Sequence, residues 1–331
     1  MGRGLRRLFF SFRPEETISL LFFVPMAIAL TALSLEPGGS VPVNPAAANY
    51  PDSFARLVTL VGSVVVFLWV VRTKPQWELA RDSLPFLFAA NIYGNLHDLI
   101  RFYGRPDITA ALYRWDVALF GVEPTVWAQR FLTPALTDFF TVCYWLFYVT
   151  PPLLGLLLWL KRDRRAFRET MVSIVLCLYV GYVGYVLWPA SAPRLTIPDQ
   201  FAVPLHGFSA LLDQSRIAPA AIPLTAFGAF PSLHCAVAIL TVLLAWRHLR
   251  WFFPIQLVSG IGLVLGTVYL RHHWVVDIAA GMVLTVGSFW LGPRIETWWE
   301  RMAARHAPGA IFAFEAEPEE PSKTSRVAEG G

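Results

Sequence analysis

The sequence predicts an all-α, polytopic membrane protein that crosses the bilayer about eight times. Only 15% of its 331 residues are charged and 56% are hydrophobic, whereas soluble domains carry about 25% charged residues. The apolar residues form long runs that can span a bilayer as helices, and basic clusters separate these runs. The net charge of +4 is modest, so composition gives no reason to expect nucleic acid as a partner.

The N-terminal part of the chain predicts two spans, at residues 17–35 and 57–71. The basic N-terminus precedes an apolar run without a small-residue cleavage site. We therefore interpret that run as a retained first span and not as a signal peptide. The second span leads into a predicted basic turn that contains Arg72, Lys74 and Arg81.

The next apolar stretch, residues 84–103, is interrupted by the polar residues Asn91, Asn95, His97 and Asp98. Polar groups in a span are costly, so these side chains are predicted to face the bundle interior or an aqueous cavity. Interhelical hydrogen bonding is favoured over a proton relay. Residues 104–134 predict a short amphipathic helix at the membrane interface, where Arg114 and Asp116 form a surface and are not catalytic groups.

The following spans are arranged around a basic cluster and a long loop. Residues 136–160, with a kink at Pro151-Pro152, and residues 171–188 are predicted to span. The basic cluster between them consists of Lys161, Arg162, Arg164, Arg165 and Arg168. After an irregular loop at 189–230, the last spans are predicted at residues 233–246, 252–270 and 274–291. The acidic, Pro-rich tail is predicted to be disordered.

The positive-inside rule orients these spans. Both termini and the basic segments are predicted to be cytoplasmic, the segments being residues 72–81, 161–168 and 247–250. The extracytoplasmic face then contains the residues that could take part in catalysis, at 188–194, 230–234 and 271–277. The sequence thus predicts an integral protein of a plasma membrane, or of an inner membrane if bacterial, with its active site on the extracytoplasmic face.

Two motifs flank a predicted helical hairpin and return to the same side of it. The first, Gly-Ala-Phe-Pro-Ser-Leu-His, ends at His234, and the second, Tyr-Leu-Arg-His-His-Trp-Val-Val-Asp, contains His273 and Asp277. His273 and Asp277 are four residues apart and share a helix face, where a carboxylate holds one tautomer of the imidazole. Such an imidazole can attack phosphorus, and His234 can protonate the leaving alkoxide.

Charge that develops on phosphoryl oxygens needs fixed hydrogen-bond donors. The candidate side chains are Arg194, Arg271 and Ser232, together with the amides that open the Ser232 helix. His272 points to a different helix face, and structural and substrate-contacting roles are both open for it. A zinc site is also chemically possible, with the ligands His234, His273 and Asp277.

Pro-Ser-x-His followed by His-x-x-x-Asp resembles the second and third signatures of the type 2 phosphatidic acid phosphatase (PAP2) superfamily. The full motifs, with Trp188-Pro189 and Pro193-Arg194 upstream, are more similar to the inositol phosphorylceramide synthase, or inositol phosphotransferase, branch. The resemblance covers residues 84–290 and implies a six-helix catalytic core that needs neither metal nor cofactor. It also implies the roles of acid, nucleophile and nucleophile partner for His234, His273 and Asp277.

The chain departs from the superfamily pattern at two places. The first signature, a Lys followed at a distance by Arg-Pro, is absent before Pro231, and Arg194 is its nearest substitute. Thr267 replaces the arginine that usually precedes the nucleophile by six residues, which fits the synthase branch better than the simple phosphatases. Residues 195–225 are expected to set substrate specificity.

These inferences divide the chain into two N-terminal transmembrane helices (1–83), a catalytic membrane core (84–295) and a cytoplasmic tail (296–331). The predicted activity transfers inositol phosphate, or a similar phospho-headgroup, from a phospholipid or lipid phosphate donor to a lipid or alcohol acceptor through a phosphohistidine. The first alternative is a phosphatase for phosphatidic acid or polyprenyl phosphate. The second is a non-catalytic lipid or anion transporter, for which internal repeats are expected and none is seen.

Overall fold

The computed structural model describes residues 3–35, 53–74, 77–207 and 227–307. Within these ranges the regular structure is helical, without a strand, which confirms the all-α class. The helices are α1 (Arg3–Phe9), α2 (Pro14–Leu35), α3 (Ser53–Thr73), α4 (Glu78–Tyr103), α5 (Thr109–Phe120), α6 (Pro124–Trp127), α7 (Pro134–Leu146), α8 (Thr150–Leu160), α9 (Arg164–Leu187), α10 (Pro193–Thr196), α11 (Leu233–His248), α12 (Phe253–Tyr269) and α13 (Val275–His306). Two 3-10 turns lie at Ala128–Phe131 and Pro198–Gln200.

Three of the described helices are long and apolar enough to cross a membrane: α2 over Pro14–Ala32, α9 and α13. Helices α7 and α8 together would supply a fourth span, bent by 48° at the break between them. The apolar part of α3 and both helices of the hairpin, α11 and α12, are shorter. Length and composition therefore indicate a membrane protein with several spans, while the count of eight stays a prediction.

The break between α7 and α8 lies just before the predicted proline kink. Helix α7 ends at Leu146 and α8 begins at Thr150, so Pro151 and Pro152 stand in the first turn of α8. Proline is tolerated there because the first N–H groups of a helix have no partner within it. The two prolines therefore begin a new helix and do not kink a continuous one.

Helix α9 lies at the centre of the bundle and packs against α2, α4, α8, α11 and α13. Its Gly184 faces Pro231, and a Cβ atom at this position would lie only 2.4 Å from Pro231 Cδ. The absence of a side chain is therefore what allows the segment before α11 to approach the helix so closely. Through this contact, α9 sets the position of the first motif.

The polar residues of α4 face the bundle, as predicted. Asn91 and Asp98 are buried, and Asn91 Nδ2 donates to the Ser63 hydroxyl of α3 at 3.2 Å. His97 is partly buried and stacks on Phe227, with ring centroids 6.2 Å apart. The bond to Ser63 is interhelical, while the interhelical hydrogen bonding favoured for His97 and Asp98 stays a prediction.

A buried group of ionic side chains joins α2, α4, α9 and α13. Arg168 donates to both carboxylate oxygens of Glu15, with Nη2 2.7 Å from Oε2, and its Nε lies 3.1 Å from a Glu296 oxygen. Arg81 is paired with Glu16, where Nη2 and Oε2 are 2.8 Å apart. All five side chains are at most 5% exposed. The prediction that Arg81 lies in a basic turn is therefore wrong, because it lies within a helix against a buried carboxylate. Arg168, predicted as the last residue of a basic cluster, likewise lies within a helix against buried carboxylates.

Helix α13 is longer than the predicted last span, because it ends at His306 and not near Leu291. Trp299 is buried near its end, and Trp299 Nε1 donates to the Phe12 carbonyl at 2.8 Å. The N-terminal segment therefore packs against the end of α13. Residues 296–306, which the sequence assigned to a disordered tail, are helical.

The loop between α9 and α11 is described at its two ends. A backbone bridge joins Ala190 to Gly228, so that the loop leaves and returns at one place. Residues 208–226 of this loop lie outside the described residues, as does the tail at 308–331. The assignment of specificity to residues 195–225 therefore stays a prediction.

Candidate active site

The two predicted motifs are joined through their backbones. Ser232 is the N-cap residue of α11, and its hydroxyl accepts from the Cys235 amide at 3.3 Å. The Ser232 amide donates to the Asp277 carbonyl at 3.0 Å, which holds the start of α11 against the first turn of α13. The Ser232 hydroxyl, a predicted phosphate ligand, is thus fully buried and used here as a helix cap.

His273 and Asp277 form a close pair at the start of α13. Nδ1 of His273 lies 3.2 Å and 3.3 Å from the two carboxylate oxygens of Asp277. One of these oxygens also accepts from the Trp274 amide at 3.1 Å. Both side chains of the pair are buried. Because Nδ1 faces the carboxylate, the lone pair of Nε2 is available on the opposite side of the ring.

Nε2 of His273 faces the remaining motif histidine. It lies 3.3 Å from Nδ1 of His234, whose other nitrogen, Nε2, is 3.0 Å from the hydroxyl of Tyr144. The structure thus brings His234, His273 and Asp277 into one hydrogen-bonded line, which Tyr144 extends. The sequence analysis missed Tyr144 because it lies in an apolar run of α7 that contains no motif.

His272 contacts the Tyr144 ring, as His234 does. The Tyr144 ring stacks on His272 with centroids 4.6 Å apart and on His234 with centroids 4.9 Å apart. The amides of His272 and His273 both donate to the Thr267 carbonyl, at 2.8 and 3.2 Å. Thr267, the residue that replaces an arginine of the motif, therefore helps to hold the loop that contains both histidines.

Asp116 of α5 contacts the start of α13 from a distant part of the chain. Its carboxylate oxygens accept from the amides of Val275 at 2.7 Å and Val276 at 2.9 Å. The side chain is fully buried, so the prediction that it forms part of an interfacial surface is wrong. Burial raises the pKa of Asp116, and the two amide hydrogen bonds act in the opposite direction. The carboxylate caps free N–H groups of α13 and so positions the turn that contains Asp277.

The two candidate cations have different surroundings. Nη2 of Arg271 donates to the Val203 carbonyl, and the guanidinium lies 4.2 Å from the centre of the Phe201 ring. The amide of Arg194 donates to the Arg271 carbonyl at 3.1 Å, while the buried Nε of Arg194 has no hydrogen-bond partner among the described residues.

Burial and the charge of Arg194 lower the pKa of His273 to about 3. The His273 imidazole is therefore neutral near pH 7, as a nucleophile must be.

Comparison with known proteins identifies the family. A model of the PAP2 superfamily matches residues 110–291, which are more than half of the chain and include Asp116, Tyr144 and both histidine motifs. The chain belongs to the PAP2 superfamily. No solved structure gives a significant match.

Two curated PAP2-like relatives match different lengths of the chain. A phosphoinositol dihydroceramide synthase of Bacteroides thetaiotaomicron is 27% identical over 238 residues, which cover 63% of this chain and 74% of the relative. A PA-phosphatase related-family protein of Dictyostelium discoideum is 31% identical over 105 residues, which cover 30% of this chain and 19% of the relative. These findings support the branch of the PAP2 superfamily that resembles inositol phosphorylceramide synthases.

The protein is thus a PAP2 membrane enzyme of lipid metabolism, a lipid phosphotransferase or phosphatase. The family match begins in α5 and ends in α13. Helices α1 to α4 precede the match, and the buried ionic group attaches two of them, α2 and α4, to α9 and α13.

The spacing of α11 and α13 is expected to set PAP2 activity, and Gly281 tests this. A Cβ atom at Gly281 would lie 2.6 Å from the Ser232 carbonyl oxygen, which belongs to backbone and cannot turn aside. The Gly281→Ala substitution should therefore separate the two motifs and lower kcat about 10- to 100-fold. Gly287→Ala on the same helix is the control, because a Cβ there meets no atom within 4 Å. Equal kcat values for the two variants would show that this spacing does not set the catalytic geometry.

Proposed function

We propose that this enzyme transfers a phospho-headgroup between lipids through a phosphohistidine intermediate. The observation that supports the proposal is the hydrogen-bonded line from Asp277 through His273 to His234. A carboxylate that holds one nitrogen of an imidazole leaves the lone pair of the other nitrogen free for attack, and it stabilises positive charge on the ring.

In the first half-reaction, Nε2 of His273 attacks the phosphorus of the donor and a P–N bond forms. His234 is neutral in the resting site, so it takes up one proton from solvent as the anionic donor binds. The P–O bond to the leaving alcohol then breaks, and the imidazolium form of His234 gives its Nδ1 proton to the departing oxygen. The facing nitrogens of the two rings are 3.3 Å apart. The phosphoryl group must therefore replace the bond between the histidines with a new contact to each of them.

In the second half-reaction, a hydroxyl of the acceptor lipid attacks the phosphorus and the P–N bond breaks. His234, now neutral, takes the proton of the incoming hydroxyl at Nδ1 and returns to the imidazolium form. His234 releases that proton to solvent when the product leaves, so both histidines return to their resting forms and no cofactor is consumed. Water in place of the acceptor would give hydrolysis by the same steps.

We assign Arg194 as the first cation for the phosphoryl oxygens, because its buried Nε has no hydrogen-bond partner in the described part of the chain. Arg271 and Ser232 are assigned supporting contacts with the phosphoryl group. Each would have to exchange a present partner, the Val203 carbonyl or the Cys235 amide, for the substrate.

Inositol phosphate and a ceramide-type hydroxyl are the first candidates for headgroup and acceptor, since the relative with the longer match is named a phosphoinositol dihydroceramide synthase. His272, one ring away from His234, is the candidate contact for the headgroup. The runner-up is hydrolysis of a lipid phosphate, as the name of the second relative suggests. Charge distribution favours an active site on the extracytoplasmic face and cytoplasmic termini. We propose that the lipid enters this site from the bilayer.

Acceptor dependence tests the proposal. Purified protein in liposomes is given phosphatidylinositol or phosphatidic acid, each with and without ceramide or diacylglycerol, and the products are resolved by mass spectrometry. We expect a new phosphoinositol lipid that forms from phosphatidylinositol only when an acceptor is present. Free phosphate released from phosphatidic acid at the same rate with and without acceptor would overturn transfer in favour of hydrolysis.

The other two alternatives have separate readouts. Activity that EDTA removes and zinc restores would support a zinc site at the motif histidines, whereas full activity in EDTA would argue against it. Movement of lipid between leaflets without any new product would support a transporter.

A further inference from the structure

Tyr144 contacts the site through both its hydroxyl and its ring, although it lies outside both motifs. Its hydroxyl is 3.0 Å from Nε2 of His234. Its ring stacks on the imidazoles of both His234 and His272 and is nearly parallel to them, at 27° and 19°. Phe147 contacts the His234 ring as well, with centroids 4.7 Å apart. The two aromatic rings and the hydroxyl together fix where the imidazole of His234 lies.

The hydrogen bonds of the resting site run in one direction. An ionised Asp277 can only accept, so Nδ1 of His273 donates to it. Nε2 of His273 then has a lone pair and accepts from Nδ1–H of His234. Nε2 of neutral His234 then has no proton, and it accepts from the Tyr144 hydroxyl. The proton positions along the whole line are therefore determined by its two ends, the Asp277 carboxylate and the Tyr144 hydroxyl.

We propose that Tyr144 is a positioning residue for both proton transfers of the reaction, an inference that rests on the proposed phosphohistidine mechanism. By bonding to Nε2 of His234, its hydroxyl keeps Nδ1 directed at the reacting phosphoryl group. Nδ1 is thereby the nitrogen that gives a proton to the leaving oxygen and takes one from the acceptor hydroxyl.

A hydroxyl suits this task because it can both donate and accept a hydrogen bond. It donates to Nε2 in the resting enzyme, where the proton of His234 is on Nδ1. It accepts from Nε2–H when His234 is an imidazolium, and again after Nδ1 has released its proton. A carboxylate in the same place would hold the imidazolium, and an apolar side chain would leave Nε2 without a partner.

The Tyr144→Phe variant tests the proposal, because it keeps the stacked ring and removes the hydroxyl alone. An acid contributes most when the leaving group is a poor one, so kcat is measured with two leaving groups. One donor is phosphatidylinositol, from which diacylglycerol departs, and the other is the p-nitrophenyl diester of inositol phosphate. If the enzyme proves to be a hydrolase, phosphatidic acid and p-nitrophenyl phosphate form the corresponding pair.

With the diacylglycerol leaving group, Tyr144→Phe should lower kcat about 10- to 100-fold while KM changes less than about threefold. With p-nitrophenol the acceptor step can limit kcat, so the pre-steady-state rate of p-nitrophenol release is compared instead, and its loss should be less than about threefold. His234→Ala should show the same dependence on the leaving group in stronger form. The same loss with both donors, or no loss with either, would overturn the role of Tyr144.

Two further variants distinguish a role in proton transfer from a loss of stability and from a failure of the phosphohistidine mechanism. Tyr179→Phe removes a buried hydroxyl that donates to the Pro85 carbonyl at 3.1 Å in the bundle. This variant can lower the melting temperature, but it should not change the ratio of the rates measured with the two donors. His273→Ala should be inactive with both donors. If it were active with both, the phosphohistidine mechanism itself would fail, whatever Tyr144→Phe had shown.

Discussion

The His273→Ala enzyme is expected to lose at least about 10⁴-fold in kcat with every donor and acceptor. The variant has no imidazole to form the P–N bond, and water would have to attack the donor directly. Asp277→Asn should lose about 10²- to 10⁴-fold, because the amide can no longer hold the proton on Nδ1 of His273. Steady-state rates measure both losses, and mass spectrometry of protein quenched at alkaline pH locates the trapped phosphoryl group.

His248→Ala is the matched control for loss of a histidine. His248 is the last residue of α11, the helix that has His234 in its first turn, and its Nε2 is 3.4 Å from a Glu169 oxygen. This variant should keep the wild-type kcat and the same trapped phosphoenzyme. A His273→Ala protein of wild-type kcat, or a phosphoryl group trapped on a residue other than His273, would contradict the mechanism.

Replacing Arg168 by methionine is expected to give the largest loss of stability, about 3–5 kcal/mol in the free energy of unfolding. The substitution leaves the carboxylates of Glu15 and Glu296 in the interior without their cation. An unpaired buried charge costs far more than the net stability of the pair, because desolvation is no longer compensated. Helix α2 should also lose its attachment to α9. Thermal unfolding in detergent, followed by far-UV circular dichroism, measures the effect.

Arg165→Met on the same helix controls for the loss of a guanidinium. Arg165 pairs with Glu169 at 3.0 Å, but its side chain is 81% exposed. Glu169 is buried, but solvent screens the exposed guanidinium, so this helical pair contributes at most about 0.5 kcal/mol. The variant should therefore unfold almost as the wild type does. Equal melting temperatures for the two variants would show that the Arg168 group does not stabilise the bundle.

The features predicted correctly from sequence depend on local spacing or on summed hydropathy. The four-residue interval between His273 and Asp277 predicts their pairing, because one helical turn separates them. The proximity of His234 needed one further step, a hairpin that returns to its starting side, and α11 and α12 form that hairpin. The polar residues of α4 were predicted to face inward because an apolar surrounding excludes unpaired polar groups.

The features that the sequence analysis missed are polar side chains whose partners lie far along the chain. Tyr144 is 90 residues from His234, Asp116 is 159 residues from Val275, and Arg168 is 153 residues from Glu15. None of the three belongs to a local motif, so the sequence indicates that a partner is needed but not which one. Arg168 also follows four other basic residues, which concealed that it alone faces the bundle.

The sequence by itself determined the helical membrane class, the PAP2 family and the three residues of the proposed proton and phosphoryl transfers. These follow from periodicity, composition and short motifs, which are properties of neighbouring residues. Only the tertiary structure decided that Asp116 caps α13, that Tyr144 holds His234 and that Arg168 joins α2 and α13 to α9. Helix packing determines the partner in each case, because a buried polar group must find its hydrogen-bond partner on the helix that faces it.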